Sequence, residues 1–156
     1  MVKGDLMKTF KIFSIAVLIA FMGSVCYAQE LTKDEEVIQK KLIVKRHQEI
    51  TAENMATLQT LITAQTIMPE AMTGMANLLK TYCDRSKNMM IAYEGLSQYK
   101  TLQDELVTLQ KVELDIQQNL EKCTQNAPQL IQAVISSLQK IAAAQNITAE
   151  EMSKKG

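Results

Sequence analysis

The two side chains best suited to form a covalent cross-link are Cys83 and Cys123. In an oxidising compartment such a pair most simply forms one disulfide, which would contribute about 4 kcal/mol at most. In a symmetric helical hairpin the two would face each other only if the turn were centred near residue 103, whereas turn-forming residues run from Gly95 to Thr101. The sequence therefore predicts a late turn with a bridge inside one chain, and a bridge between two chains is the alternative.

A second chemistry is offered by thioethers, because Met68, Met72 and Met75 follow one another at spacings of four and three residues. Thioethers are ligands that select Cu(I). Methionines at helical spacing more commonly fill a core or line an adaptable groove. We therefore treat these three as weak metal candidates, and Met72, Met75 and Met89 as candidates for contact with a partner.

The only histidine, His47, lies in the polar run from Lys45 to Glu49, where a solvated ring is expected. The sequence contains no Glu-x-x-His pair, no Cys-x-x-Cys-His, no His-Glu-x-x-His and no glycine-rich phosphate loop. We therefore assign no catalytic residue and predict a protein that is not an enzyme and has no cofactor.

The N-terminus has the pattern of a secretory signal peptide. Two lysines precede an apolar run over 12–25, which ends in Cys26-Tyr27-Ala28. The run is short for a membrane span of about 20 residues, so we predict cleavage after Ala28, membrane contact only during export, and a periplasmic or secreted protein. The alternative interpretation is an uncleaved membrane anchor. Lipidation of Cys26 is disfavoured because Val25, not a small residue, precedes it.

Removal of residues 1–28 changes the composition of what remains. The leader holds three lysines and one aspartate, so the 17 basic and 17 acidic residues of the whole chain become 14 and 16. Only three aromatic rings are left, those of Tyr82, Tyr93 and Tyr99. Nucleic acids are recognised by basic patches and stacking rings, so we predict no nucleic-acid partner. Residues 29–156 are long enough for a single domain.

Helix signals divide this domain into segments. Thr32 and Glu35 form a capping box that starts a first helix, and Pro69 suits the first turn of a second. Apolar residues then recur in a heptad-like rhythm over 102–123, which predicts a third helix.

A fourth helix is predicted from Asn126 to Asn146, and its apolar face is the strongest in the chain. Thr148 and Glu151 form a second capping box, which predicts a separate tail helix. The fold class is therefore all-α: an elongated antiparallel bundle of three to four helices after an N-terminal signal peptide, with one disulfide.

The predicted function is contact with another protein or with itself. Catalytic and stacking groups are missing, whereas long heptad-like helices with a methionine stripe suit helix-in-groove recognition or self-association. We expect a non-enzymatic subunit or accessory factor of a bacterial cell-envelope or secretion assembly. A periplasmic stress chaperone (holdase) and a methionine-rich copper-handling protein are the alternatives.

In size, export and helix content the chain is similar to small helical periplasmic stress chaperones and to helical minor subunits of secretion and conjugation systems. The segment from Leu31 to Glu35 lacks the glutamine of the Leu-Thr-x-x-Gln motif typical of the chaperones. The sequence therefore assigns no family.

Overall fold

The computed structural model of the protein describes residues 32–64 and 66–154. These ranges contain five α-helices, α1 to α5, and one 3-10 helix after α2. In chain order the elements are α1 (Lys33–Ile62), α2 (Pro69–Met89), the 3-10 helix (Met90–Tyr93), α3 (Tyr99–Gln118), α4 (Leu120–Gln125) and α5 (Ala127–Lys154). No strand occurs in the described ranges, so the all-α prediction is confirmed. The predicted signal peptide and its cleavage site lie outside them.

The long helices pack as an antiparallel up-down-up-down bundle. In α1, Gln48 bonds Asn146 of α5 and Thr51 bonds Gln145. Because the later residue of α1 meets the earlier residue of α5, the two helices run in opposite directions. The helices α1 and α2 are also antiparallel, and α3 packs on both α2 and α5.

Local chemistry explains where the first two helices begin. The Thr32 hydroxyl accepts from the Glu35 amide, and the Glu35 carboxylate accepts from the Thr32 amide at 3.0 Å, so the predicted capping box is confirmed. Pro69 occupies the first turn of α2 after an extended Met68. That start is also confirmed, because proline fixes the backbone angle a first turn needs.

The turn between α2 and α3 contradicts the predicted late turn. The helix α2 ends at Met89, the 3-10 helix ends at Tyr93, and α3 begins at Tyr99. Gly95 between them has φ 74°, a conformation in which other residues are strained. The chain therefore reverses at Gly95, where the turn-forming residues begin.

Two further helix boundaries differ from the prediction. The third helix is interrupted at Asn119, where φ −134° and ψ 46° separate α3 from α4. In contrast, α5 continues through Asn146 and Thr148 to Lys154, so the predicted tail helix is wrong. The Thr148 hydroxyl donates to the Ala144 carbonyl and is buried. It therefore lies inside a helix, not at a cap.

The core lies where the apolar faces of the long helices meet. Its fully buried large apolar side chains are Leu58, Met72, Leu79, Leu102, Leu109, Ile116, Ile131, Leu138 and Ile141. The predicted apolar face of the fourth helix supplies Ile131, Leu138 and Ile141. Among the described helices, none is both long enough and apolar enough to cross a bilayer.

Candidate functional site

The first turns of α1 extend past the neighbouring helices. Since Gln48 pairs with Asn146, antiparallel register places Lys154, the last residue of α5, level with about residue 41. The α2–α3 turn lies at a similar level, because Ser97 donates to the carboxylate of Glu151. Residues 33–42, which we call the projecting segment, therefore extend mostly beyond the rest of the bundle.

The projecting segment carries large apolar side chains that the other described helices leave exposed. Val37, Ile38 and Leu42 are 41, 48 and 43% exposed, and the first buried residue of α1 is Val44. Ile38 and Leu42 are separated by four residues and share one face of the helix, whereas Val37 lies on another. A helix with apolar residues on more than one side is normally enclosed by other structure.

An apolar groove lies between α1 and α2, toward the far end of α1. It has a volume of about 630 Å³. Its lining, which we call the receiving groove, consists of Thr57, Leu58, Thr60, Leu61, Ala64, Ala71, Gly74, Met75 and Leu78. A side chain added at Gly74 would meet no atom within 4 Å. The groove is therefore open at its centre because one residue of α2 has no side chain.

The receiving groove continues into a smaller polar cleft of about 290 Å³, since Leu78 lines both. The cleft is lined by Asn54, Asn77, Thr81 and Arg85 together with buried residues. Arg85 is exposed and forms no ion pair with any described residue. The face formed by α1 and α2 therefore consists of the apolar receiving groove with the guanidinium of Arg85 at one end.

The candidate methionines occupy different environments. Met72 and Met75 are 0 and 2% exposed and belong to the core, although Met75 also forms part of the groove floor. Met68 is 56% exposed, and Met89 is half-buried against the core. Of the candidates for partner contact, only Met75 lines the receiving groove. Met72 and Met75 are thus enclosed in the core, whereas Met68 is exposed at the start of α2.

His47 is buried, so the predicted solvated ring is wrong. Its exposure is 0%, and Nδ1 lies 3.0 Å from the Tyr93 hydroxyl while Nε2 lies 2.9 Å from Ser86 Oγ. The ring also packs edge-on against that of Tyr93. Burial lowers the pKa of His47 to about 4. At neutral pH the ring is therefore uncharged and has one donor and one acceptor.

One arrangement of hydrogens satisfies the hydroxyl groups around this ring. Tyr93 donates to His47 Nδ1, and Nε2–H donates to Ser86 Oγ. Tyr82 donates to Thr51, whose hydroxyl donates to the His47 carbonyl at 2.8 Å. These bonds form two short chains that meet at His47, one through its ring and one through its carbonyl, and they join the 3-10 helix, α1 and α2.

Gln145 of α5 closes the network on its remaining side. Its Nε2 donates to Thr51 Oγ1 at 2.9 Å. Its Oε1 is buried without a hydrogen-bond partner among the described residues. Gln145 thus ties α5 to α1 through Thr51.

The enclosed network favours a structural role over catalysis. Although a serine hydroxyl bonded to an imidazole is the first pair of a nucleophile-and-base arrangement, Ser86 and His47 are both 0% exposed. The second ring nitrogen faces the neutral Tyr93 hydroxyl, not a carboxylate. A substrate would have to displace core side chains to reach this pair.

The structure does not show the predicted disulfide: both cysteines are buried free thiols. Cys83 Sγ lies 3.9 Å from the Leu106 carbonyl, whereas Cys123 Sγ lies 3.7 Å from the Asp115 carboxylate. Because the chain turns at Gly95, Cys83 faces Leu106, and Cys123 is farther along by roughly 25 Å of helix at a rise of ~1.5 Å per residue. The late turn, which was inferred from the bridge, is wrong.

The sequence contained a signal for the buried histidine that local polarity concealed. Val44, His47, Thr51 and Leu58 recur at spacings of three, four and seven residues, and all four are buried. That period matches one face of a helix. Extending the face from Leu58 back to Val44 would have placed His47 in the core despite its charged neighbours.

Within the described residues, no group of three or more His, Cys, Asp and Glu side chains is placed to hold a metal ion. Comparison of the chain with protein-family models, with curated proteins and with solved structures finds no match.

Proposed function

We propose that this chain is an exported, non-enzymatic helical protein that acts through protein contact, as a subunit or accessory factor of a bacterial cell-envelope or secretion assembly. Export would follow cleavage of the predicted leader near Ala28. The observation that carries the proposal is the projecting segment, which holds Val37, Ile38 and Leu42 exposed on a helix that other helices leave uncovered.

The projecting segment has the properties of a helix that binds in a groove. Such recognition uses a short amphipathic helix whose apolar residues enter a partner's groove. The capping box at Thr32 satisfies backbone amides at the tip of α1, so the helix requires no partner to form its first turn. A helix formed in advance loses less conformational entropy on binding.

The distribution of polar groups also supports a contact role. The groups with acid-base chemistry are enclosed in the bundle, where Tyr93 bonds the His47 ring and Tyr82 bonds Thr51. The exposed apolar features of the described surface include the projecting segment and the receiving groove, beside single side chains such as Ile91, Leu114 and Ile147. Contact surfaces are therefore accessible, whereas the candidate acid-base groups are enclosed.

The test is affinity capture from the envelope of the native host. Ile38→Ser with Leu42→Ser removes apolar side chains that are already exposed, so the bundle should remain folded by circular dichroism. We expect the double variant to lose the envelope proteins that the unmodified protein retains. Leu114→Ser is the matched control, because Leu114 is 49% exposed on α3. Equal capture by all three proteins would refute a contact role for the segment.

The receiving groove favours a holdase as the second candidate function. A groove of about 630 Å³ lined by leucine, alanine and methionine could accept apolar segments of unfolded clients. A holdase would suppress aggregation of unrelated denatured proteins at near-stoichiometric ratios, and Gly74→Leu, which fills the groove, would abolish that activity. Suppression that is unchanged by the filled groove would exclude this site.

A further inference from the structure

We propose that the occupant of the receiving groove is the projecting segment of a second copy of this chain, so that copies associate head to tail. This inference rests on the proposed contact function and names its partner. Both surfaces are apolar and unpartnered, and both include part of α1, one near each end. Because α1 is one continuous helix, the segment cannot fold back into the groove of its own chain.

Charge on the two surfaces is complementary. Asp34 precedes Ile38 and Leu42 by four and eight residues and therefore lies on their side of the helix. Glu35 is engaged by the Thr32 cap and Glu36 by Lys40 at 2.7 Å, whereas Asp34 forms no ion pair with any described residue. In the polar cleft that continues the receiving groove, Arg85 forms no ion pair with any described residue. Asp34 is thus the unpaired carboxylate beside Ile38 and Leu42, with the exposed Lys41 on the same side, and Arg85 is the unpaired guanidinium beside the receiving groove.

The spacings on the two surfaces also agree. Asp34 and Leu42 are about 12 Å apart along the projecting segment at ~1.5 Å per residue. Arg85 and Gly74 are about 16 Å apart along α2 by the same rise, and the long arginine side chain shortens that gap. With Asp34 near Arg85, Ile38 lies over Leu78 and Leu42 reaches the space left open at Gly74.

This placement fixes the direction of assembly. The incoming tip enters from the end of the groove near Ala64 and Ala71 and points toward Arg85. The bundle of the second copy, which begins near Val44, then lies beyond the end of the first. The contact is heterologous, with a different surface from each copy, so it extends to further copies unless the rotation closes a ring.

The experiment measures mass against concentration by sedimentation of the purified protein. Asp34→Arg places a cation on the tip opposite Arg85, and Arg85→Asp places an anion in the cleft opposite Asp34. Each variant alone should associate at least about tenfold more weakly than the unmodified protein, because like charges would meet at the contact. Each variant keeps one of the two surfaces unmodified. On another copy of the same variant, that surface meets a like charge.

Mixing the two variants separates this contact from any other effect of the substitutions. In the mixture every tip finds a groove of opposite charge on the other variant, so association should return to within about threefold of the unmodified protein. A change of fold or of solubility in either variant would not be repaired by mixing. Failure of the mixture to associate, while the unmodified protein does, would overturn the Asp34–Arg85 pairing.

Gly74→Leu tests the groove itself. The new side chain enters open space, so helicity should be kept while association is lost. A sedimentation profile of the unmodified protein that stays monomeric at all concentrations, or association that persists in Gly74→Leu, would overturn the inference. Envelope capture dependent on Ile38 and Leu42 would then still support the proposed function. Self-association without any captured envelope protein would support the head-to-tail contact and would contradict the proposed role in an envelope assembly.

Discussion

His47 Nε2 and Ser86 Oγ lie 2.9 Å apart and join the middle of α1 to the last turn of α2. Both residues are completely buried. Loss of this hydrogen bond would lower the free energy of unfolding by more than its formation contributes. The reason is that an unsatisfied buried polar group costs about 1–3 kcal/mol. The pair therefore fixes the register of α1 against α2, and with it the shape of the receiving groove between them.

The first prediction concerns acid sensitivity. Burial lowers the pKa of His47 from 6.5 to about 4, so the unfolded chain binds a proton at a higher pH than the folded chain does. Stability is then full above pH 6.5 and is lost as the pH falls toward 4. Linkage gives a loss of about 2 kcal/mol at pH 5 and about 3 kcal/mol below pH 4.

Urea unfolding between pH 7.5 and 4.5 measures this loss. His47→Gln, whose amide can both donate and accept, should be less stable at pH 7.5 and should lack most of the decline before carboxylates titrate. A free energy of unfolding that is constant over this range in the unmodified protein would show that the ring titrates normally in the folded state.

The second prediction concerns the donor to the ring. Tyr93→Phe removes the hydroxyl 3.0 Å from His47 Nδ1 and leaves a buried acceptor unsatisfied, so the free energy of unfolding should fall by about 1–3 kcal/mol. Tyr99→Phe is the control, because Tyr99 is only half-buried and its hydroxyl has no hydrogen-bond partner among the described residues. Equal effects of the two substitutions would remove Tyr93 from the network.

The parts of the fold that depend on local chemistry followed from the sequence. The capping box at Thr32 and the proline start at Pro69 act within one helical turn, and both are confirmed. Features that depend on distant residues did not follow. Asn146 and Thr148 resemble a helix end locally, but tertiary packing buries Thr148 and continues the helix.

The site was harder to predict because it depends on which helices meet. Met75 is one of the three methionines predicted to contact a partner, and it lines the groove. The open space at Gly74 and the guanidinium of Arg85 form a binding surface only together with α1. The register of α1 against α2 cannot be derived from one sequence. The assumed disulfide worsened the result, since it displaced the turn from Gly95, where local chemistry places it.

The third prediction contrasts two glycines. Gly74 lies inside α2 with open space around it, so Gly74→Ala should stabilise the protein by about 1 kcal/mol through helix propensity alone. Gly95 has φ 74°, so Gly95→Ala should destabilise it by about 1–2 kcal/mol because a β-carbon is strained there. Thermal unfolding of both variants measures the two changes, and the same sign for both would contradict this assignment of the turn.

The fourth prediction concerns thiol reactivity. Burial raises the pKa of Cys83 to about 12, and only the thiolate is nucleophilic. At pH 8 the folded protein should therefore react with a maleimide at Cys83 much more slowly than the urea-unfolded protein, by a factor of at least about 100. Mass spectrometry after unfolding without reductant should find both Cys83 and Cys123 alkylated. A species in which both cysteines resist alkylation until a reductant is added would show that the two sulfurs are bridged. The packing of α2 on α3 in solution would then differ from the packing described above.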